Sequence, residues 1–177
     1  TLSIVTNIDN DHLDYYKDLA DIQNAFHELA MKVPEDGFII CDPNEANISL
    51  ILVGVQAQVI DVKEFMRTRS LMLPGEHNQY DAALAGAVGK IVGLTDEESD
   101  SELSTFPGTG RRFEFKGELV SGAKVYDDYA HHPTEIRVTL AGFRELYPSP
   151  DYKITVIFQP HLFSRTKAFL NDFAKEL

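Results

Sequence analysis

A chain of 177 residues that is 44% hydrophobic and 25% charged has the composition of a globular protein, and the length of one ordinary domain or two small ones. Its 16 basic and 28 acidic residues leave a net charge of −12, which argues against a nucleic-acid partner because phosphates need a basic face. No apolar run is long enough for a bilayer, residues 1–8 show no basic leader with a cleavage site, and the lone Cys41 excludes an internal disulfide and fits a reducing cytoplasm.

In chain order, Leu2–Thr6 reads as a buried strand that runs into Asn7-Ile8-Asp9-Asn10-Asp11-His12-Leu13-Asp14. That polar run fits two roles: a loop holding Mg²⁺ beside phosphates, or an Asx-rich turn capping the next helix. Leu19, Ile22, Phe26, Leu29 and Val33 recur at three- and four-residue steps, which predicts a helix from about Asp18 to Lys32. His27 lies on its polar side and is expected in solvent. Phe38–Cys41 is a second strand with Cys41 as a buried thiol, and Asp42-Pro43-Asn44 is a turn. Ile48–Val55 and Val59–Val62 are read as further strands from their β-branched content.

Pro74-Gly75-Glu76-His77-Asn78 could present an amide and an imidazole to a heterocyclic base, or Asn78 could simply be an N-cap with His77 its exposed neighbour. A helix rich in small residues is predicted from Gln79 to Val92, and an acidic one from Asp96 to Leu103. Phe106-Pro107-Gly108-Thr109-Gly110-Arg111-Arg112 is Pro/Gly-rich and marks the expected boundary between domains 1–107 and 108–177. Arg111 and Arg112 suit phosphate oxygens, or the salt bridges of an ordinary linker. Phe113–Glu118 and Val120–Asp127 are predicted as a hairpin. Pro133 opens a helix with the stripe Ile136, Leu140, Phe143 and Leu146. Ile154–Phe158 is read as a buried parallel strand and Phe163–Leu177 as a helix.

Two segments carry most of the chemistry: Asp127-Asp128-Tyr129-Ala130-His131-His132-Pro133-Thr134-Glu135 and Gln159-Pro160-His161-Leu162-Phe163-Ser164-Arg165-Thr166. Each follows an apolar run and precedes a helix, the order that places ligands at the carboxyl ends of parallel strands in α/β sheets. Five of the six histidines (His12, His77, His131, His132, His161) sit at such ends or at helix starts. Asp128 could grip a ribose hydroxyl while Tyr129 stacks on a ring and His131 faces the reacting end; the alternative is a helix-start cluster with Asp as cap. His161 and Arg165 are four residues apart and would share a face. An arginine at a helix start is unfavourable unless an anion sits there, which points to a carboxylate or phosphate ligand.

In these segments, together with Thr6-Asn7-Ile8, Asp11-His12-Leu13-Asp14, Pro74-Gly75, His77-Asn78 and Gly110-Arg111-Arg112-Phe113, the chain resembles the Mur ligases. The segment around His161 is most similar to the branch that adds L-alanine, more than to the peptide-recycling branch. The resemblance implies an α/β fold: the later part of a central ATPase domain with a mainly parallel sheet, then the first part of a Rossmann-like carboxyl-terminal domain. It implies an ATP- and Mg²⁺-dependent ligase that joins L-alanine to UDP-N-acetylmuramate in cytoplasmic peptidoglycan precursor synthesis. By the same resemblance His12 is a metal ligand, and His77, Asn78, Arg111, Arg112, Asp128 and Tyr129 bind nucleotide. His131, His161 and Arg165 surround the incoming amino acid and the acyl phosphate. His12, His77, Asp128, His131, His161 and Arg165 are expected to converge on one cleft between two lobes.

Some features depart from the family pattern. No G-x-x-x-x-G-K-[ST] phosphate loop occurs, and the expectation is an internal piece of a longer ligase, inactive alone. Asp81 stands where many relatives carry a second asparagine, and a carboxylate cannot donate to a ring nitrogen. Leu162 stands where some relatives carry arginine. A non-catalytic nucleotide-binding α/β module is the competing reading, along with the murein-peptide recycling ligase.

Overall fold

A computed structural model describes residues 1–177, which divide into two compact units: residues 1–69 with 79–103, and residues 70–78 with 104–177. The first unit is built on three parallel strands, β1 (Leu2–Ile4), β2 (Phe38–Cys41) and β3 (Gln58–Asp61), in the order β1-β2-β3. Successive side chains of β2 point to opposite faces, so Ile39 and Cys41 join one apolar cluster and Ile40 the other. The first cluster packs α1 (Leu19–Ala30) and α2 (Ala46–Ile51) through Ile22, Ala30, Ile48 and Ile51. The second packs α3 (Glu76–Ile91) through Ala83, Leu84 and Ala87. A parallel sheet covered on both faces accounts for the continuous apolar run in β2.

Helix α1 begins where Asp18 accepts the Asp21 N–H at 3.0 Å. Its core-facing stripe is Ile22 and Ala30, buried, with Leu19 and Phe26 partly buried, and Val33 just past its end continues it, whereas Leu29, expected inside, is half exposed. His27 is not solvent-facing as expected: it is half-buried, with Nδ1 2.9 Å from the Ile51 carbonyl.

Residues 46–51 are a helix, and the strand expected over Ile48–Val55 does not form. The side chain of Glu45 accepts the N–H groups of Asn47 and Ile48, both at 2.9 Å, and so nucleates the turn. Ile48 and Ile51 then fall one helical turn apart and both bury completely, an outcome that overrides the strand preference of β-branched residues. Cys41 is fully buried, and burial, with Asp42 and Asp61 adding negative charge nearby, pushes its thiol up to about 11.

A 3-10 turn (Val62–Phe65) follows β3, and α4 (Asp96–Thr105) follows α3. Arg67 reaches both oxygens of Asp100 at 2.9 Å. The buried Arg69 donates its Nε–H to Asp100 at 2.8 Å. Gln79 brackets the Arg69 backbone from both sides, at 2.9 and 2.8 Å. The acidic start of α4 is thus partly an anchor, since Asp96 also pairs with Arg67 at 3.0 Å.

In the second unit β4 (Glu114–Glu118) and β5 (Lys124–Asp127) form an antiparallel hairpin with an irregularity between Phe115 and Gly117, where Gly117 adopts φ 135°. Helix α5 (Pro133–Leu146) lies on an aromatic core: Phe113 stacks on Phe143 at 4.0 Å, and Tyr126 meets both rings, at 5.4 and 5.0 Å. The segment 70–78 belongs here through the Gly75 N–H, which donates to Glu145 at 3.0 Å, and through the Pro74 carbonyl against Gly142.

Two expectations fail in this unit. Residues 154–158 form no strand, because no neighbouring strand hydrogen-bonds to them, and Ile157 is 97% exposed. The helix expected over 163–177 is two helices, α6 (Phe163–Ala168) and α7 (Leu170–Glu176). They part at Phe169, whose ring packs on His132 at 5.0 Å. No helix of the chain is long and apolar enough to cross a membrane.

Candidate active site

The sharp turn at residues 111–113 organises one wall of the site. Arg111 and Phe113 adopt φ of 59° and 51°, a left-handed conformation that costs a side-chain-bearing residue on the order of 1 kcal/mol or more. Hydrogen bonds hold it there. The Arg111 N–H donates to Glu114 at 2.8 Å, its carbonyl accepts from the Tyr129 N–H at 2.7 Å, and the Phe113 N–H donates to Asp128 Oδ2 at 2.8 Å. The turn is therefore stitched to the segment after β5.

Both guanidiniums consequently lie over one ring. Arg111 Cζ is 4.7 Å and Arg112 Cζ 5.9 Å from the Tyr129 centroid, close enough for cation–π attraction. Asp127 takes the Arg111 Nε–H at 3.2 Å, and Glu135 takes both Arg112 terminal nitrogens at 3.3 Å. The two side chains remain 58% and 45% exposed, with N–H groups left to receive an anion.

The other wall is made of imidazoles. The ring of Tyr129 meets His131 edge-on at 4.9 Å, and His131 faces His161 at 6.3 Å. His131 Nδ1 is 2.7 Å from the Tyr129 carbonyl, an acceptor only, so that nitrogen carries a proton. These groups line a cleft of about 820 Å³ that continues past Asp127 to Tyr126, Tyr147 and Tyr152. The Tyr126 and Tyr147 hydroxyls are hydrogen-bonded; burial first, then that bond, pushes the Tyr126 phenol up to about 12. It therefore stays protonated at neutral pH.

The remaining residues singled out by the sequence stand as follows. Asp128 spends one lone pair of each oxygen on the backbone, since Oδ1 accepts the Ala130 N–H at 2.8 Å. It builds the loop, and only its second lone pairs could meet a ribose. Arg165 is buried on α6 and does not line the cleft; neither do His77 and Asn78. The Asn78 amide nitrogen is bonded to the Pro74 carbonyl at 2.6 Å and lies 3.1 Å from His77 Nε2. His12 belongs to the first unit, at φ 55°, with Nε2 3.8 Å from Asp11 and a side chain 66% exposed.

Two residues with no expected role prove central: Asp127 and Glu135 hold the arginine pair. Glu135 also accepts the N–H groups of His131 and His132, at 2.9 and 3.2 Å. Burial pushes its carboxyl up, but the His131 N–H, the nearby His131 and Arg112 charges and the His132 N–H together hold it below the usual range. The spacing of His132 and Glu135, three apart at a helix start, was the available signal.

A profile of the Mur ligase middle domain matches residues 1–49, and one of the Mur ligase glutamate ligase domain matches residues 111–177. The chain belongs to the Mur ligase family. A UDP-N-acetylmuramate–L-alanine ligase of Caldicellulosiruptor bescii is 38% identical, aligning with 100% of this chain and 44% of its own length. One from Caldanaerobacter subterraneus is 36% identical over 98% of this chain and 43% of its own. The solved UDP-N-acetylmuramate–alanine ligase of Thermotoga maritima superposes with a TM-score of 0.71 at 26% identity, covering 99% of this chain and 43% of that one. A murein peptide ligase of Psychrobacter arcticus shares the fold, with a TM-score of 0.60 at 23% identity over 90% of this chain and 39% of that one. The chain thus spans less than half the length of the Mur ligases it matches.

The donor set can be weighed against the groups the family uses. The arginine pair over Tyr129 fits a nucleotide's phosphates, because a planar guanidinium matches phosphate oxygens two at a time. Nowhere do three or more His, Cys, Asp or Glu side chains meet around a metal position. His12 fits only as one ligand of a magnesium ion whose other ligands would be phosphates and water.

Proposed function

We propose that, in a protein of its relatives' full length, this chain serves the ATP-dependent joining of L-alanine to UDP-N-acetylmuramate in the cytoplasm, for peptidoglycan precursor synthesis. The observation that carries the reading is the array Arg111–Tyr129–His131–His161 in one cleft of the second unit. It combines anion binding with imidazoles that can accept a proton, which suits phosphate-driven amide formation. The names of the relatives supply the two substrates.

In this reading the lactyl carboxylate attacks the terminal phosphate of ATP, releasing ADP and leaving an acyl phosphate. The amine of L-alanine then adds to the acyl carbon, the tetrahedral adduct expels phosphate, and the amine loses a proton. Such chemistry is largely positioning and charge neutralisation. Arg111 and Arg112 meet the phosphates, and Tyr129, with Asp128, meets the nucleoside. His131 Nε2, the lone-pair nitrogen in the neutral ring, is available to the amine proton, and His161 flanks the amino-acid site; Arg165, buried on α6 outside the cleft, has no direct contact with the amino acid in this reading. His77 and Asn78 are assigned to the base and His12 to magnesium, which would supply charge neutralisation at the phosphates.

The test is ATP turnover by the whole protein. Turnover that needs both UDP-N-acetylmuramate and L-alanine supports the reading. Turnover independent of alanine, or a preference for a peptide, rejects it.

A further inference from the structure

The first turn of α5 holds a carboxylate with more partners than a helix cap needs. A capping box asks the N3 side chain only to accept the N-cap N–H, which Glu135 does for His132 at 3.2 Å. The same Oε2 also takes the His131 N–H at 2.9 Å and lies 3.5 Å from His131 Nδ1. The other oxygen, Oε1, receives both terminal nitrogens of Arg112. One side chain therefore ties the Arg112 guanidinium, which lies near the Tyr129 ring, to the His131 imidazole in the cleft. A carboxylate beside Nδ1 favours the tautomer that the Tyr129 carbonyl selects, which puts the lone pair on Nε2.

We infer that Glu135 is a positioning residue for the ligation, holding Arg112 over Tyr129 and His131 as its Nδ1–H tautomer, apart from its service as a cap of α5. The inference rests on the ligase reading for its kinetic part and on geometry alone for its tautomer part. Glutamate and glutamine both satisfy a capping box, so Glu135→Gln keeps the cap and removes only the charge. Glu135→Ala removes both.

Nitrogen NMR of the imidazoles, in wild type and Glu135→Gln, decides the tautomer part whatever reaction the protein catalyses. A smaller Nδ1–H fraction for His131 is expected in the variant, because the Tyr129 carbonyl then selects that tautomer without the carboxylate's charge beside it; an unchanged fraction overturns the inference. In the whole protein, Glu135→Gln is expected to lower kcat about tenfold and raise KM for ATP about threefold, with a melting temperature within about 2 °C of wild type. Wild-type kcat and KM in the variant overturn the inference, as does an activity loss that only tracks the loss of folded protein. If wild type shows no alanine-dependent turnover, the ligase reading fails while the NMR result still decides Glu135. Should Glu135→Gln not fold, Glu135→Asp keeps the charge but draws it back from Arg112 and His131: a raised KM for ATP supports the inference and wild-type kcat and KM overturn it.

Discussion

The two units solve the same problem in different ways. In the first, a parallel sheet is covered on both faces, and Ile39, Ile40, Cys41, Ile48 and Val62 are at most 1% exposed. In the second, a two-stranded hairpin and an aromatic cluster do the packing, while Ile157 and Phe163 are almost wholly in solvent. Apolar burial holds the first unit. Ion pairs and turn hydrogen bonds hold much of the second, and there the candidate chemistry lies. The contrast fits the general pattern that binding groups sit on loops steered by a scaffold, where stability is locally lower.

Substitutions can break that contrast, beginning with the largest effect. Ile39→Ala removes a fully buried side chain from the middle strand and should cost about 3 kcal/mol in urea unfolding of the chain. A cost under about 1 kcal/mol would mean the sheet core is looser than its burial indicates. Asp100→Asn should cost about 2 kcal/mol, because it leaves the buried Arg69 guanidinium without its charged partner. The same substitution at the exposed Asp151 should be nearly neutral.

Acid should act on both units. The Arg67 hydrogen bond, with help from Arg69, holds the Asp100 carboxyl low against the opposing effect of burial, and Glu135 is held low by the contacts described above. A carboxyl with a lowered folded pKa binds protons more weakly in the fold than in the unfolded chain. Its contribution is therefore full above the unfolded value of about 4 and is lost as pH falls through the folded one. Melting temperatures by circular dichroism should change little between pH 7 and pH 5 and fall steadily below about pH 4. Melts that stay flat to pH 3 would remove both ion-pair clusters from the account.

The smallest effects sharpen the picture of the second unit. Leu162 holds φ 68° at the start of α6, a conformation open to glycine and strained for a branched side chain. Leu162→Gly should change stability by less than about 1 kcal/mol, since relieved strain offsets lost contacts. Ile157→Ala should fall within about 0.5 kcal/mol in this chain. In a protein of the relatives' full length, a cost of 2 kcal/mol or more at Ile157 would show that residues 154–158 gain a buried partner there.

Much of this was legible from patterns. The apolar run Phe38–Cys41, the three- and four-residue steps of α1 and the Pro133 helix start depend on neighbours close in sequence, and those elements form as read. Reading failed where a distant group decided. Ile48–Val55 has a strand's composition, yet Glu45 caps it and two buried isoleucines a turn apart make it helical. Ile154–Phe158 also has a strand's composition, but a strand is a pairing, and no strand of this chain pairs with it. His27 seemed idle because nothing local shows that the Ile51 carbonyl waits 24 residues away.

The candidate site divides in the same manner. Residue types and their order marked Arg111, Tyr129, His131 and His161, because histidines and arginines at strand and helix ends carry a chemical signature readable without coordinates. Their arrangement came only from tertiary structure: two left-handed residues that turn both guanidiniums onto one ring, and a glutamate that serves cap, arginine and imidazole together. By itself, then, the amino-acid sequence determined family, the type of those elements that local pattern sets, and the chemical vocabulary, all of which rest on contacts a few residues long or on side-chain identity. Which polar groups meet, and in what protonation, was decided by packing, because burial and long-range hydrogen bonds exist only once the chain has folded.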